Sequence, residues 1–183
     1  MSEALGGSQS AFEQIVQRYQ RPVISLILRM VGDRGVAEEL AQESFVKAFR
    51  NLGGFDVSRR LSSWLFRIAH NTALDWLRRA RPPVVSLDDP EDDASHGALA
   101  TAAAPPAADP VEREALGQAL EAAMRTLRPA YRAAVALRYE QELSFEEIGQ
   151  VMGVPEVTAR TYVHRARKEL AQVLTAWQPM RNR

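Results

Sequence analysis

The stretch that most constrains the fold runs from residue 143 to residue 174 and reads LSFEEIGQVMGVPEVTARTYVHRARKELAQVL. Ser144 and Glu147 have the spacing of a capping box, in which each side chain satisfies a free backbone N–H at the start of a helix. Gly153 can adopt the left-handed conformation that ends such a helix, and Pro155 suits the first turn of the next one. The pattern predicts a short helix, a tight turn and a second helix.

The second helix has one apolar face and one basic face. At 100° per residue the apolar arc contains Ala159, Val163, Ala166, Leu170 and Val173. Nearly opposite lie Arg160, Thr161, His164, Arg165 and Lys168. This combination is typical of a helix-turn-helix, whose second helix enters the major groove of DNA, where Arg and Thr can bond base edges or phosphates. A solvated helical hairpin with ordinary surface charge is the alternative at this point.

Charge is balanced over the chain, with 23 basic and 23 acidic residues, but it is segregated locally. Residues 59–81 contain six Arg and one Asp, whereas residues 82–112 contain seven acidic residues and no Lys or Arg. Six prolines also fall between residues 82 and 110. A segment of this composition buries too little apolar surface to offset its ordering entropy. The sequence therefore predicts a basic working surface followed by a flexible acidic linker.

Several classes of function are excluded or disfavoured by composition. The chain has no cysteine, and its three histidines lack metal-ligand spacing, so we expect neither a metal site nor a cofactor. No catalytic acid–base pair, nucleophile arrangement or phosphate-binding loop is present, which predicts that the protein is not an enzyme. No run is apolar enough for a signal peptide or a membrane span, so a cytoplasmic protein is expected.

The N-terminal half contains two amphipathic patterns. Apolar residues recur at helical spacing from Ala11 to Leu28, and Pro22 should break or kink this run. Residues 36–52 form the second pattern, with a predicted buried side of Ala37, Leu40, Ala41, Phe45, Ala48 and Leu52. The opposite side carries Glu39, Gln42, Glu43, Val46 and Arg50. Taken alone, that side is interpreted as solvent-facing rather than as a partner surface.

A third pattern, from Leu61 to Ala80, combines a core face with a stripe suited to nucleic acid. Its predicted buried arc contains Leu61, Leu65, Ile68, Ala69, Thr72 and Trp76, and its stripe contains Trp64, Arg67, Asn71 and Arg78. Bases stack on aromatic rings and phosphates meet cations when single strands are bound. For Trp64 by itself, a core position is favoured.

The remaining pattern is also helical, which predicts an all-α fold. Leu116, Leu120 and Met124 are in register on one helix, and Ala133, Val135, Ala136 and Tyr139 are expected to pack on the next. We predict two small helical domains, at 8–81 and 112–177, joined by the flexible linker at 82–111. The second domain contains the helix-turn-helix.

This arrangement resembles the extracytoplasmic-function (group 4) sigma factors of bacterial RNA polymerase. Three segments carry the resemblance: AEELAQESFVKAFRNL at 37–52, SSWLFRIAHNTALDWLRR at 62–79 and LSFEEIGQVMGVPEVTARTYVHRARKEL at 143–170. Such proteins direct core polymerase to specific promoters and assist DNA opening. The resemblance implies three partners: core polymerase, through its β′ clamp and β subunit, promoter DNA, and an anti-sigma factor.

The resemblance also implies roles for individual residues. Docking on the β′ clamp is assigned to Glu39, Gln42, Glu43 and Val46, which replaces the solvent-facing interpretation. Recognition of the minus-ten element is assigned to Trp64, Arg67, Asn71, Arg78 and Arg79, with Asn71 at the contact to a flipped-out base. Recognition of the minus-thirty-five element is assigned to Arg160, Thr161, His164 and Arg165.

Two other interpretations account for less of the chain. A stand-alone helix-turn-helix regulator would explain the C-terminal half but not segments 37–52 and 62–79. A sigma-like decoy that binds only an anti-sigma factor would have no need of a basic recognition face.

Overall fold

The computed structural model describes residues 9–80 and 110–176, and every regular element within these ranges is helical. The helices are α1 (Gln9–Val31), α2 (Arg34–Asn51), α3 (Leu61–Ala80), α4 (Pro110–Thr126), α5 (Pro129–Val135), α6 (Phe145–Met152) and α7 (Glu156–Ala176). A 3₁₀ turn, Leu52–Gly54, follows α2, and a π turn, Ala136–Glu140, continues α5. The all-α prediction is confirmed for these ranges. The predicted linker at 82–111 lies outside them, except for its last two residues, which belong to α4.

Pro22 does not break the first helix, because α1 continues through it to Val31. The predicted break at Pro22 is therefore wrong. Apolar side chains on both sides of the proline belong to the core: Phe12, Val16 and Tyr19 pack against it, and Val23, Leu26, Ile27 and Met30 are buried in it. Packing along the whole length of α1 offsets the hydrogen bond that the proline cannot make.

A two-residue turn joins α1 to α2 and fixes the start of α2. Gly32 has a φ of +81°, in the left-handed region that favours glycine. Asp33 then caps α2, since its carboxylate accepts a hydrogen bond of 2.9 Å from the Val36 N–H. The predicted buried side of α2 is confirmed for Ala37, Leu40, Ala41, Phe45 and Ala48, and for Leu52 in the 3₁₀ turn that follows; Ser44 is buried with them.

α3 is buried on a wider arc than the sequence indicates. From the predicted arc, Leu65, Ala69 and Thr72 are buried, whereas Leu61, Ile68 and Trp76 are only partly so. Ser63, Phe66 and His70 are buried although the sequence did not predict it. The reason is that α3 packs not only against α1 and α2 but also against α6 from the C-terminal half.

α4 is buried only at its C-terminal end. Met124 is in the core as predicted, but Leu116 and Leu120 are exposed, so the predicted stripe is wrong for them. A small separate core cluster forms here and consists of Ala123, Met124, Leu127, Tyr131, Ala166 and Leu170. Val173, predicted to be buried on α7, lies beyond this cluster and is exposed.

The π turn that continues α5 also contacts α1. Ala133 and Ala136 are buried as predicted, whereas Tyr139 is exposed, which corrects the prediction that it packs. At 3.6 residues per turn Glu140 lies about 340° from Ala133, which is nearly the same side of the helix, whereas Tyr139 lies about 240° from it. Glu140, not Tyr139, faces α1, where it accepts hydrogen bonds from Ser25 and Arg29.

One continuous core connects the N-terminal helices (α1–α3) with the C-terminal helices (α4–α7). Its buried members include Leu26, Ile27 and Phe66 from the first group and Leu137, Leu143 and Ile148 from the second. Arg29 of α1 adds charged contacts to Glu121 at 2.6 Å and to Glu140 at 2.9 Å. Arg132 of α5 donates to the Met30 carbonyl at 2.8 Å. The two groups of helices are therefore held closely together.

Gly149 lies where α6 approaches the turn before α7 closely. A Cβ at this position would lie 2.7 Å from the Val154 carbonyl oxygen and 3.4 Å from the Glu156 nitrogen. Both atoms belong to the backbone, so they cannot move aside cheaply. We expect Gly149→Ala to lower the free energy of unfolding by about 2 kcal/mol, as overpacking usually does.

Gly117→Ala is the matched control, because Gly117 lies in α4 and a Cβ added there would meet no atom within 4 Å. It should raise the free energy of unfolding by about 0.5–1 kcal/mol, since alanine stabilises a helix interior relative to glycine. Urea denaturation followed by circular dichroism measures both changes. Shifts of the same sign in the two variants would contradict the close approach.

Candidate nucleic-acid interface

The outer face of α2 presents an apolar patch inside an acidic and polar surround. The polar members assigned from the sequence, Glu39, Gln42 and Glu43, are exposed. Val46 is 49% exposed, and Phe49, one turn further on, is 52% exposed. Phe12 of α1 meets Phe49 edge to face, with ring centroids 5.0 Å apart. We call Val46 and Phe49 with these polar residues the α2 patch. Phe49 was missed, although its spacing of three from Val46 was a usable signal.

α3 is one continuous helix, which is the condition for its polar stripe to form. Arg67, Asn71 and Arg78 are all exposed, and Arg79 is exposed beside them. Arg78 lies 3.9 Å from the Asp75 carboxylate, and the Arg79 guanidinium donates to the Asp75 carbonyl at 3.2 Å. The structure therefore brings the predicted basic residues onto one surface with the Asn71 amide among them.

Trp64 combines the two roles that the sequence left open. Its ring packs against Phe55 with centroids 5.1 Å apart, which fixes its orientation. The residue is nevertheless only partly buried, and it lines a cleft that Arg67 also borders. A ring that is anchored on one side and accessible on the other is suited to stack against a base.

That cleft contains charged residues that the sequence alone did not bring together. It has a volume of about 380 Å³ and lies between the start of α3 and the start of α6. Arg60 contacts Glu147 there at 2.8 Å, and the Ser63 hydroxyl lies 3.4 Å from the same carboxylate oxygen. No sequence signal could have found this contact, because Arg60 and Glu147 are 87 residues apart.

The helix-turn-helix forms as predicted. The Ser144 hydroxyl accepts from the Glu147 N–H at 3.1 Å, and the Glu147 carboxylate accepts from the Ser144 N–H at 2.8 Å, so the capping box is complete. Gly153 ends α6 with a φ of +70°, in the left-handed region. Pro155 immediately precedes α7, and its carbonyl accepts the Ala159 N–H at 3.0 Å.

The four residues assigned to major-groove contacts lie on the accessible side of α7. Arg160 is exposed, and Thr161, His164 and Arg165 are partly exposed. The Arg160 guanidinium contacts Glu156 at 2.8 Å and lies over the Phe145 ring at 5.0 Å, so its stem is oriented before any ligand binds. The Thr161 hydroxyl donates to the Val157 carbonyl at 2.9 Å.

His70 is a buried titratable group next to the polar stripe of α3. Burial lowers the pKa of His70, and this effect outweighs the opposite influence of the Asn71 side chain. Its Nδ1 atom makes no hydrogen bond within the described part of the chain. His70 shares a face of α3 with Ser63, seven residues earlier, which approaches Glu147 of α6. The buried position of His70 therefore favours its neutral form.

Two other kinds of site are not found in residues 9–80 and 110–176. These ranges contain no group of three or more His, Cys, Asp or Glu side chains arranged to hold a metal ion. None of their helices is long and apolar enough to cross a membrane.

Two family models match the chain, on the two segments that form these surfaces. The model for Sigma-70 region 2 matches residues 15–82, which include α2 and α3. The model for Sigma-70, region 4 matches residues 117–170, which include the helix-turn-helix.

Curated relatives match nearly the whole chain. The ECF RNA polymerase sigma factor SigW of Bacillus subtilis is 33% identical over 171 residues, which cover 92% of this chain and 91% of the relative. The RNA polymerase sigma-H factor of Pseudomonas aeruginosa is 36% identical over 172 residues, covering 92% and 88%.

Among solved structures, the fold is similar to that of the sigma factor RpoE in complex with the anti-sigma factor NepR from Bartonella quintana. The TM-score is 0.66 at 20% sequence identity, and the match covers 92% of this chain and 99% of the other. The similarity concerns the fold.

The burial of His70 predicts a pH dependence of stability. The pKa of His70 is lowered on folding from an ordinary value of 6.5, so the unfolded chain takes up the proton first as the pH falls. The contribution of neutral, buried His70 to the free energy of unfolding is complete above pH 6.5. This contribution is lost as the pH falls from 6.5 to the pKa of His70 in the folded state. In that window the free energy of unfolding should fall by up to about 1.4 kcal/mol per pH unit.

Urea denaturation between about pH 7 and pH 5 measures this slope. His70→Gln should remove the contribution, whereas His164→Gln should keep it, because His164 is only partly buried on α7. An equal slope in wild type and His70→Gln would contradict the assignment.

Proposed function

The chain belongs to the sigma-70 family as an extracytoplasmic-function sigma factor, and from this premise we propose how its surfaces share the work of starting transcription. A sigma factor of this type directs core RNA polymerase to specific promoters and assists DNA opening. We propose that this chain acts only as that initiation factor, in the cytoplasm, and that the polymerase carries out the chemistry.

The observation that carries the proposal is the presence on one chain of two different nucleic-acid surfaces. α3 presents an anchored Trp64 with exposed Arg67 and Asn71, which suits single strands. α6 and α7 form a capped helix-turn-helix, which suits the major groove of duplex DNA. A stand-alone duplex-binding regulator has no use for the first surface.

We propose a division into two domains at 8–81 and 112–177. The separate matches of the two family models, to residues 15–82 and 117–170, support this division. The first domain would bind polymerase and the minus-ten element, and the second would bind the minus-thirty-five element and the β subunit.

The α2 patch is proposed as the surface that docks on the β′ clamp. Its centre is apolar, with Val46 and Phe49 each about half exposed. Glu39, Gln42 and Glu43 form the polar surround. Apolar anchors within a polar rim are typical of the energetic centre of a protein interface.

Asn71 is proposed to contact a base that leaves the duplex at the minus-ten element. Extruding a base costs a few kcal/mol, so the protein must provide hydrogen bonds and stacking in return. An amide can both donate to and accept from a base edge, and Trp64 on the same stripe can stack. Arg67, Arg78 and Arg79 would neutralise nearby phosphates.

Arg160, Thr161, His164 and Arg165 are proposed to read the minus-thirty-five element. Arg160 is oriented by Glu156 and by the Phe145 ring, which reduces the entropy lost when it binds. Arg can bond guanine through two atoms, and Thr can bond a base or a phosphate.

An anti-sigma factor is proposed as the regulatory partner. RpoE of Bartonella quintana, whose fold is similar, was solved in complex with an anti-sigma factor. The exposed apolar residues of the α2 patch would be one surface for such a protein to cover.

In vitro transcription with purified bacterial core polymerase tests the proposed function. The chain should direct RNA synthesis from selected promoter templates, and transcripts should start at one defined site. Failure to start RNA at a defined site on any template, including the chain's own upstream region, would refute it.

Val46→Asp tests the α2 patch. A carboxylate at the centre of an apolar contact must be desolvated, so the affinity for core polymerase should fall about ten-fold or more. Fluorescence anisotropy with labelled protein measures it. Val57→Asp is the matched control, because Val57 is exposed outside the α2 patch. Equal losses in the two variants would show that Val46 has no special role.

Asn71→Ala tests the base contact. Loss of a paired amide contact to a base should slow open-complex formation about ten-fold, while binding of duplex minus-thirty-five DNA stays unchanged. Stopped-flow fluorescence with holoenzyme measures the first and gel shift the second. Gln20→Ala, an exposed amide on α1, should alter neither. A normal opening rate in Asn71→Ala would rule out the contact.

A further inference from the structure

The cleft between α3 and α6 places an acidic residue of the C-terminal helices against the basic face of the N-terminal ones. Both oxygens of Glu147 are engaged: Oε2 accepts from the Ser144 N–H at 2.8 Å, and Oε1 accepts from Arg60 at 2.8 Å. The Ser63 hydroxyl approaches Oε1 at 3.4 Å. Glu147 is therefore both a member of the capping box of α6 and the acidic partner of Arg60 at the start of α3.

The groups that meet Glu147 are Arg60, which immediately precedes α3, and Ser63 of α3, and both are of the kinds that bind a phosphate. A guanidinium and a hydroxyl are among the commonest protein donors to nucleic-acid phosphate oxygens. The Arg60 side chain is 66% exposed, whereas that of Glu147 is 19% exposed. Trp64 and Arg67 line the same cleft, beside the contact. A strand whose base stacks on Trp64 would bring its backbone toward Arg60.

The packing of α6 on α3 is incompatible with simultaneous use of the two proposed DNA surfaces. By their names, the minus-ten and minus-thirty-five elements lie roughly 25 base pairs apart, which is about 85 Å of duplex. In the structure, α6 of the helix-turn-helix touches α3 directly. The two groups of helices must separate before both elements can be bound.

From these observations we infer that Glu147 occupies the place of a nucleic-acid phosphate against Arg60, so that α6 masks the single-strand surface of α3 until the two groups of helices separate. This inference rests on the proposed function of α3, and it adds a built-in inhibitory contact to it. The chain would thereby bind stray single strands weakly until polymerase and promoter draw its halves apart.

A second contact, made by residues that do not line the cleft, also joins the halves. Glu140 accepts from Arg29 at 2.9 Å and from the Ser25 hydroxyl at 2.7 Å, and Glu121 contacts Arg29 at 2.6 Å. Loss of the Glu140 charge should favour separation while leaving Arg60 and Trp64 intact. Glu140 thus offers a way to test separation independently of the carboxylate in the cleft.

Binding of a fluorescein-labelled single-stranded DNA of about twelve nucleotides to the full-length chain tests the inference. Glu147→Gln removes the charge but keeps a residue that completes a capping box. It should bind about two- to five-fold more tightly than wild type, the range expected for one partly exposed ion pair. Glu140→Gln should also bind more tightly. Arg60→Gln in the Glu147→Gln background should abolish the gain.

Glu146→Gln is the matched control, since Glu146 lies in the same helix turn and contacts Gln150 rather than Arg60. It removes an equal charge from the same cleft, so it should change the affinity much less than Glu147→Gln. An equal gain in both variants would mean general charge repulsion and would overturn the inference. Unchanged affinity for single-stranded DNA in Glu147→Gln would also overturn the inference. A tighter binding seen in Glu147→Gln but not in Glu140→Gln would refute the separation step.

The same variants separate this inference from the proposed function. A chain that supports promoter-directed transcription but shows no response of single-strand binding to Glu147→Gln refutes the inference alone. A chain that shows the response but gives no directed RNA with core polymerase supports the masking contact and refutes the proposed function.

Discussion

The packing of α6 against α3 is the contact on which the rest of the structure depends. It helps to join the N-terminal and C-terminal helices into one continuous core, and the buried Ser63 of α3 lies there, 3.4 Å from the Glu147 carboxylate of α6. With α1 and α2 on its other side, α3 keeps only a narrow stripe accessible. That stripe contains Arg67 and Asn71, and the helix has little freedom to present any other residues.

Polar contacts at the edge of this core make the packing specific. Apolar burial favours close approach but is not directional. Arg29 bonds carboxylates from two different C-terminal elements, and Glu147 bonds both its own helix start and Arg60. Partly exposed ion pairs of this kind add little stability individually and are weakened by salt. They are suited to define one arrangement of the halves that a stronger partner can still replace.

Local patterns predicted local structure well. The capping box at Ser144, the glycine end of α6 and the buried side of α2 all follow from interactions within a few residues, and the structure contains each of them. The predictions of a break at Pro22 and of a packed Tyr139 were wrong. Tertiary packing holds α1 helical through its proline, an effect that has no signal in the spacing of apolar residues. Tyr139 is exposed, and the next residue, Glu140, makes the contact to α1 instead.

The candidate site likewise has parts that local sequence patterns predict and one contact that they do not. The exposed stripe of α3 and the basic side of α7 could be predicted, because helical periodicity places their residues on one face. The Arg60–Glu147 contact could not, because it depends on how two distant segments pack. The resemblance to sigma factors supplied the roles of the surfaces, and the structure adds that two of these surfaces adjoin each other across a cleft.

The distance between the two groups of helices during initiation is the most direct measure of this account. The chain has no native cysteine, so spin labels can be attached selectively at Gln17→Cys on α1 and Gln172→Cys on α7. The distance between the two labels is then measured by electron paramagnetic resonance. The account predicts one short distance in the free chain and a distance longer by tens of ångströms in a transcribing promoter complex. An unchanged distance in a complex that makes promoter-specific RNA would contradict it.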